Sequence, residues 1–585
     1  MMLIGFLLLS FAVLLAAYMT IGRWLARIFR LSSTPDTPAH LRRDGLDFEP
    51  IRMSALFPQH FSAIAAAGPI VGPILAALYF GWGPAWIWII VGCIFIGGIH
   101  DFMALLASLR HQGRTVAHLV QQYMNPRAYY LFLIFLYFSL LYVIIAFTDV
   151  TAGTFVPTPN AAGAAPGPAV ATSSLAYLVL ALAMGLTLRH TGLSPLMAKL
   201  VFLPLVALAI IGGPYLPLDL GPGSQQTWGL ILLGYCFVAS VMPVWLLLQP
   251  RGELGGYFLY IVMAIALGGL FVGGLVGDLA IQQPFFKSWT SPAPASLPLL
   301  PFLFITIACG ACSGFHSIVA SGTTSRQITC EADTRAIGYG AMLLEGFLAC
   351  ISLTTVMVLT GGDLAKLGKP DAIYANGIAL FGAEPLKLLG IPAANVLPYL
   401  TQFALLCFAT FVFDTLDACC RLARYVLMEL LGWQGFMLSL VATAITLLLP
   451  VIVVLMPPPT LGGKAQPLWL VFWGIFGSSN QLLAALTLLG VTMWLRRRGY
   501  PVWLTLGPTI FMLIMTLWSL VFAINPYLEL LQSGKPLEAL IHLRFGITIS
   551  LLFLGVWLVI EALIVWFGPA QRDPAPDTGA AVPAT

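Results

Sequence analysis

Apolar residues run in stretches of about twenty along nearly the whole chain, separated by short polar connections, and that is the length a helix needs to cross roughly 30 Å of hydrocarbon. About fifteen such stretches begin near Leu3, Phe61, Pro84, Ala128, Ser173, Pro195, Trp228, Leu254, Pro298, Ala336, Val396, Phe436, Trp469, Val502 and Phe545. The pattern predicts an all-α polytopic membrane protein. The stretches at Phe61, Pro298 and Val396 are interrupted by polar, glycine or proline residues, so discontinuous helices are expected among them. Met1 to Thr20 is apolar with its basic residues behind it, the reverse of a cleavable secretory signal, and reads as a retained first span. Leu31 to Gln59 is too short for a separate soluble domain. This leaves one transmembrane unit over residues 1–567 and a tail over 568–585, rich in proline and alanine, that is expected to be disordered.

Basic residues fall in every second connection. Arg23 to Arg52 follow the first span, Arg110, Arg114 and Arg127 the third, Arg189 and Lys199 the fifth, and Arg251 the seventh. Arg326 and Arg335 follow the ninth, Arg421 and Arg424 the eleventh, and Arg496 to Arg498 the thirteenth. The intervening connections Val150 to Thr172 and Ile211 to Gln226 have none, although Gly361 to Asn395 holds Lys366, Lys369 and Lys387. Because cytoplasmic loops collect Lys and Arg, the expectation is a bacterial inner-membrane protein with its N-terminus outside and its C-terminus cytoplasmic.

Composition agrees and narrows the classes. Of 585 residues, 59% are hydrophobic and 9% charged, against about 25% charged in a soluble domain, so lipid must be the main solvent. The net charge of +4 is spread along the chain, which sets nucleic acid aside. The nine cysteines lie mostly inside apolar runs and read as reduced packing residues. Cys309 and Cys312 form a lone CxxC without the second pair or histidines that a metal site wants. Neither metal nor cofactor is expected.

Two segments depart from a plain lipid-facing helix. Between His60 and Pro84, Gly68-Pro69 and Gly72-Pro73 should kink or unwind the helix and free backbone carbonyls for an ion or carboxylate. Close helix packing through the two glycines is the competing explanation. Between Ala308 and Gln327, Gly310, Ser313, Gly314, His316, Ser317, Ser321, Thr323 and Thr324 gather small and hydroxyl residues suited to a buried polar ligand. The competing explanation there is a Ser/Thr packing seam.

Ionisable residues inside spans are costly, about 2.5 to 3.5 kcal/mol for an Asp at a helix centre, and chains keep them for a reason. Here they are Asp101 beside His100, Asp149, Glu345, and Asp414 with Asp417. The last two share a helix face that Arg421 and Arg424 continue, so a structural ion-pair ladder between Asp417 and Arg421 is one reading. A carboxylate buried without a cation favours its neutral form and can load and release a proton, which makes Glu345 and Asp101 the leading candidates for ion coupling, with His100, Asp414 and Asp417 beside them.

Six ordered blocks, HFSAIAAAGPIVGP (60–73), GGIHDFMALLASLRHQGRT (97–115), ACGACSGFHSIVASGTTSRQI (308–328), IGYGAMLLEGF (337–347), DTLDACCRLARY (414–425) and WGIFGSSNQLLAAL (473–486), resemble the carbon starvation protein A family of bacterial peptide and pyruvate transporters. The resemblance spans most of the chain. It implies uptake of small organic nutrients, pyruvate in some members and peptides in others, with proton coupling and expression tied to carbon limitation. It also implies a distant likeness to the amino acid, polyamine and organocation transporters, whose discontinuous helices surround a midplane site. Where family members usually read a small residue, glycine and threonine after the LDA triplet, this chain has Cys419 and Cys420.

A secondary carrier is therefore expected, since no Walker A phosphate loop and no soluble domain supply ATP. Its partners would be pyruvate or a peptide, a proton or other cation, and the bilayer. A substrate carboxylate would meet helix N-termini and hydroxyls at Gly68, Pro69, Gly72, Pro73 and the Gly310 to Gly322 region rather than a full buried cation. A channel, an intramembrane enzyme built on His100 with Asp101 or Ser313 with His316, and a starvation sensor are the rival classes. The enzyme lacks an orienting third group and the sensor an output domain.

Overall fold

A computed structural model describes residues 2–34, 36–157, 166–221, 223–276, 279–292, 296–458, 460–461, 464–465, 467–532 and 539–568. The expected tail beyond Gly568 lies outside them. Among the described residues, eighteen principal helices follow one another in chain order. The first nine are α1 (Met2–Ile28), α2 (Met53–Ala65), α3 (Gly68–Phe80), α4 (Trp82–Arg110), α5 (Pro126–Phe155), α6 (Gly167–His190), α7 (Pro195–Tyr215), α8 (Gln225–Val241) and α9 (Leu248–Val276). The other nine are α10 (Leu299–Thr306), α11 (Gly314–Gly322), α12 (Glu331–Met357), α13 (Pro370–Leu388), α14 (Ala393–Leu431), α15 (Phe436–Leu455), α16 (Leu468–Arg497), α17 (Trp503–Gln532) and α18 (Ala539–Phe567). Among the described residues the sheet content is one two-residue antiparallel pairing, Thr460–Leu461 with Lys464–Ala465.

Among the described residues, thirteen helical stretches are long and apolar enough to cross a membrane. They match thirteen of the fifteen expected spans. The span expected near Trp228 is the 17-residue helix α8, and the one expected near Pro298 is the pair α10 and α11, two short helices joined end to end by unwound chain. One helix escaped the hydropathy reading altogether. The connection expected between Gly361 and Asn395 contains α13, 19 residues long, which folds back along the first part of α14. At 39 residues α14 is about 58 Å long, about twice the hydrocarbon thickness.

Burial sorts core from periphery. Most residues of Met53–Phe80, Trp82–Arg110, Glu331–Met357 and Leu468–Arg497 are buried, whereas most residues of α1 and of Pro195–Tyr215 are not. The interrupted and polar helices thus stand in the middle, and uniformly apolar ones face lipid, since lipid tolerates no unpaired backbone polar group.

The basic connections meet at one end. Arg110 pairs with Glu331 at 2.7 Å and donates to the Phe29 carbonyl, Asp47 faces Arg326 at 3.9 Å and Arg421 at 3.5 Å, and Val244 N–H donates to the Leu46 carbonyl. Arg496 donates to the Trp566 carbonyl, bringing the end of α18 to the same side. Partial burial, then the charges of Arg114 and Arg326, hold the Arg42 guanidinium below the usual arginine range at this end.

Candidate functional site

The first break sits at Ala66 and Ala67, with Ala66 at φ +27°, directly before the Gly68-Pro69 pair. Pro69 starts α3, where its missing N–H is harmless, and Gly72 and Pro73 continue that helix rather than unwinding it as expected. The second break runs from Ile307 to Ser313. The two breaks cross in contact. A Cβ on Gly68 would lie 2.2 Å from Cys309 Cβ, one on Gly72 would lie 2.5 Å from the Thr306 carbonyl, and one on Gly310 would lie 3.4 Å from Pro69 Cα. Gly72 serves close approach of two backbones, whereas Gly68 makes room for the Cys309 side chain.

Asn480 on α16 closes the second break, and the sequence reading had not singled it out. Its Oδ1 accepts from Phe315 N at 2.8 Å, satisfying a free donor at the start of α11, and its amide nitrogen donates to Ser313 Oγ at 3.0 Å and Cys309 Sγ at 3.3 Å. A Cβ on Gly314 would meet Asn480 O at 2.4 Å. Ser317 donates to the Gly314 carbonyl at 2.6 Å and lies 3.0 Å from Thr487 Oγ1. Ser321 accepts from Val116 N at 3.3 Å, and Thr323 donates to the Val319 carbonyl at 2.8 Å. Most of these hydroxyls therefore seal helix seams. Cys309 and Cys312 are free and buried, and among the described residues no group of His, Cys, Asp and Glu is arranged to hold a metal.

Four of the ionisable candidates form one buried chain. Asp101 on α4 lies 2.7 Å from His100 Nδ1 and 2.7 Å from His316 Nδ1 on α11, and His316 Nε2 lies 3.2 Å from Glu345 on α12. All four side chains are at most 1% exposed. The local reason is a π-helical turn in each of the two carboxylate helices, Cys93–Gly97 before Asp101 and Arg335–Gly340 before Glu345, each of which shifts the register of the side chains after it. Ser313 is held by Asn480 and His316 by two carboxylates, so the serine–histidine pair imagined for an enzyme is not formed.

The remaining pair corrects a sequence expectation. Asp414 and Asp417 are bound by Arg251, whose Nε is 2.7 Å from Asp414 and whose Nη1 meets Asp417. Arg421 is not Asp417's partner, because it points to Asp47 and to the Ala239 and Met242 carbonyls. Arg251 had been counted as a loop charge, and a buried cation had been excluded from the site. Its side chain is 1% exposed, in the first turn of α9, with its guanidinium 4.3 Å from the Phe413 ring centroid. Ser62 donates to Asp414 at 2.5 Å and Tyr235 to Asp417 at 2.8 Å. A cavity of about 20 Å³ adjoins this cluster between α2, α9, α11 and α14. Asp149 lies apart, accepting from Gln225 and Trp469 N–H groups beside an outer cavity of about 230 Å³ that Lys369 and Asp371 also line.

A family model described as carbon starvation protein CstA matches residues 2–385 and 374–519. The chain is 31% identical to the peptide transporter CstA of Escherichia coli, covering 91% of this chain and 83% of that protein. It is 30% identical to the pyruvate/proton symporter BtsT of the same organism, covering 89% and 82%. The peptide transporter CstA of Bacillus subtilis aligns over 98% of both chains at 29% identity. Among solved structures, MhsT in complex with L-phenylalanine superposes over 88% of this chain and 99% of its own, with a TM-score of 0.46 and 12% identity.

Proposed function

This chain belongs to the carbon starvation protein CstA family, and from that premise we propose that it takes up pyruvate or small peptides by proton symport across a bacterial inner membrane under carbon limitation. One observation carries the coupling half of the reading, the buried chain His100–Asp101–His316–Glu345 beside the crossing of the two broken helices. A single imidazolium between two carboxylates is stable in a low-dielectric interior, whereas two bare carboxylates are not, so proton gain and loss here change the charge that the surrounding half-helices must accommodate. Asp101 and His316 sit on different helices, and the proton they share links α4 to α11. Work of this kind is transport rather than catalysis, and its substrate class follows the names of the relatives, a peptide transporter and a pyruvate/proton symporter.

The basic connections support the orientation. Reading their shared end as cytoplasmic by the positive-inside rule supports an N-terminus outside and a C-terminus inside. Residues 1–567 act as one transporter unit.

The test is accumulation of labelled pyruvate and a labelled dipeptide by proteoliposomes under an inward proton gradient. We expect gradient-dependent uptake of at least one substrate. Glu345→Gln and Asp101→Asn should each reduce uphill accumulation by more than about tenfold, the scale of losing a group used in every cycle. Downhill exchange should be affected less. Accumulation that persists in both variants would remove the cluster from the coupling step, and flux of either substrate that never exceeds equilibrium would indicate a channel.

A further inference from the structure

We infer that the cavity beside Arg251 is the seat of the substrate's carboxylate, gripped by Arg251 and His60 with Gln59 completing the site. Three polar side chains line this one cavity with an atom that makes no hydrogen bond: Arg251 Nη2, His60 Nε2 and Gln59 Oε1. Their residues are 1%, 2% and 6% exposed. Buried polar atoms are almost always paired, so three orphans around one space point to a polar ligand there. The chemistry fits an anion. His60 Nδ1 lies 2.8 Å from Thr324 Oγ1, and with that hydroxyl donating, Nε2 bears the hydrogen. The guanidinium and imidazole then present two N–H donors, and the Gln59 amide can turn either end to the ligand.

The inference rests on the transport reading above and names the group that transport grips. At about 20 Å³ the cavity admits a single water and not a whole pyruvate. Two of its walls, α2 and α11, are half-helices ending at the breaks, while α9 and α14 are continuous. The half-helices therefore supply the widening. The surface that α2 lies against is nearly bare of side chains, because a Cβ on Gly252 would meet Gln59 at 2.8 Å and one on Gly256 the Pro58 carbonyl at 2.3 Å.

Charge also constrains the occupant. The charged and titratable groups around the guanidinium are Asp414 and Asp417 on α14, Tyr235 and Cys236 on α8, Tyr177 on α6 and His60 on α2. With both aspartates ionised the cluster already holds two anions to one cation. A third anion enters at low dielectric only if a proton comes with it.

The experiment measures pyruvate, acetate and the neutral isostere acetamide against the purified full-length protein by thermal shift and calorimetry, with uptake KM in proteoliposomes. Gln59→Leu and His60→Ala leave the Arg251 ion pairs intact and carry the test even if Arg251→Lys fails to fold. Pyruvate and acetate should stabilise the wild type and acetamide should not, and both dissociation constant and KM should rise on the order of tenfold in each variant. Wild-type affinity in Gln59→Leu and His60→Ala, or no carboxylate binding to the wild type, overturns the inference. Carboxylate binding that these variants lose, in a protein that accumulates nothing, overturns the transport reading and leaves the site standing.

Discussion

At the scale of single residues, Asn480 does more than its uncharged side chain suggests. One amide satisfies the Phe315 N–H and binds Ser313 and Cys309 at the unwound break. Asn480→Ala strands a buried donor, so we expect a loss of about 1 to 3 kcal/mol, read as a lower melting temperature of the detergent-purified protein. Asn480→Asp keeps the acceptor for Phe315 but loses the donors and buries a carboxylate, so it should lose at least as much. Asp101 and Glu345 were legible in the sequence because a carboxylate inside an apolar run is costly to keep, whereas His316, grouped there with the small and hydroxyl residues expected to bind substrate, joins them only in the fold. Asn480 was not, since a neutral amide costs little to insert and nothing in a single sequence marks its partners. Arg251 was missed for another reason. It stands close to a span end, where a basic residue satisfies the positive-inside pattern, and only the fold shows it turned inward onto Asp414 and Asp417.

At the scale of elements, the breaks and their contacts can be tested by complementation. Gly68→Ala places a methyl 2.2 Å from Cys309 Cβ, a clash the packed core cannot absorb, and overpacking of this kind costs about 1 to 3 kcal/mol. Removing the opposing side chain should restore room, so we expect Gly68→Ala to lose transport and stability and Gly68→Ala with Cys309→Gly to regain most of both. Equal loss in the double variant would show that the two breaks do not press on each other. Both interruptions were readable from Gly, Pro and Ser, although the unwinding falls at Ala66 rather than at the Gly-Pro pairs, because proline is comfortable in the first turn of a new helix. Helix α13 was not readable. It buries Tyr374, Asp371 sits near its start and Glu384 near its end, and a helix packed on protein rather than lipid need not be hydrophobic enough for a hydropathy window.

For the whole molecule, sidedness is the open quantity with the clearest assay. Leu41 is 73% exposed at the basic end, and a Cβ on Gly361 at the opposite end has nothing within 4 Å. Among the nine native cysteines only Cys330 is not fully buried, so background labelling should be low. We expect Gly361→Cys to react with a membrane-impermeant thiol reagent on intact cells and Leu41→Cys to react only after permeabilisation. The reverse pattern would invert the protein. The general architecture, many apolar helices with polar interrupted ones at the centre, was legible because lipid imposes a length and a polarity on each span. Their packing order was not, since apolar faces are nearly interchangeable to lipid and only side-chain fit distinguishes them.

The crossing of the two breaks has a mechanical consequence. Where Gly68 receives the Cys309 side chain and Gly72 meets the Thr306 carbonyl, α3 adds no side chain of its own between itself and the second break, so the crossing acts as a fulcrum. The segments on one side of it, α2 and α11, and those on the other, α3 and α10, are then the two arms of a see-saw. A tilt that parts the arms facing the cytoplasm presses together those facing outward, and a pivot this tight leaves little slack for both to stand open at once. Leakage of protons would be prevented by geometry before any gate had to close.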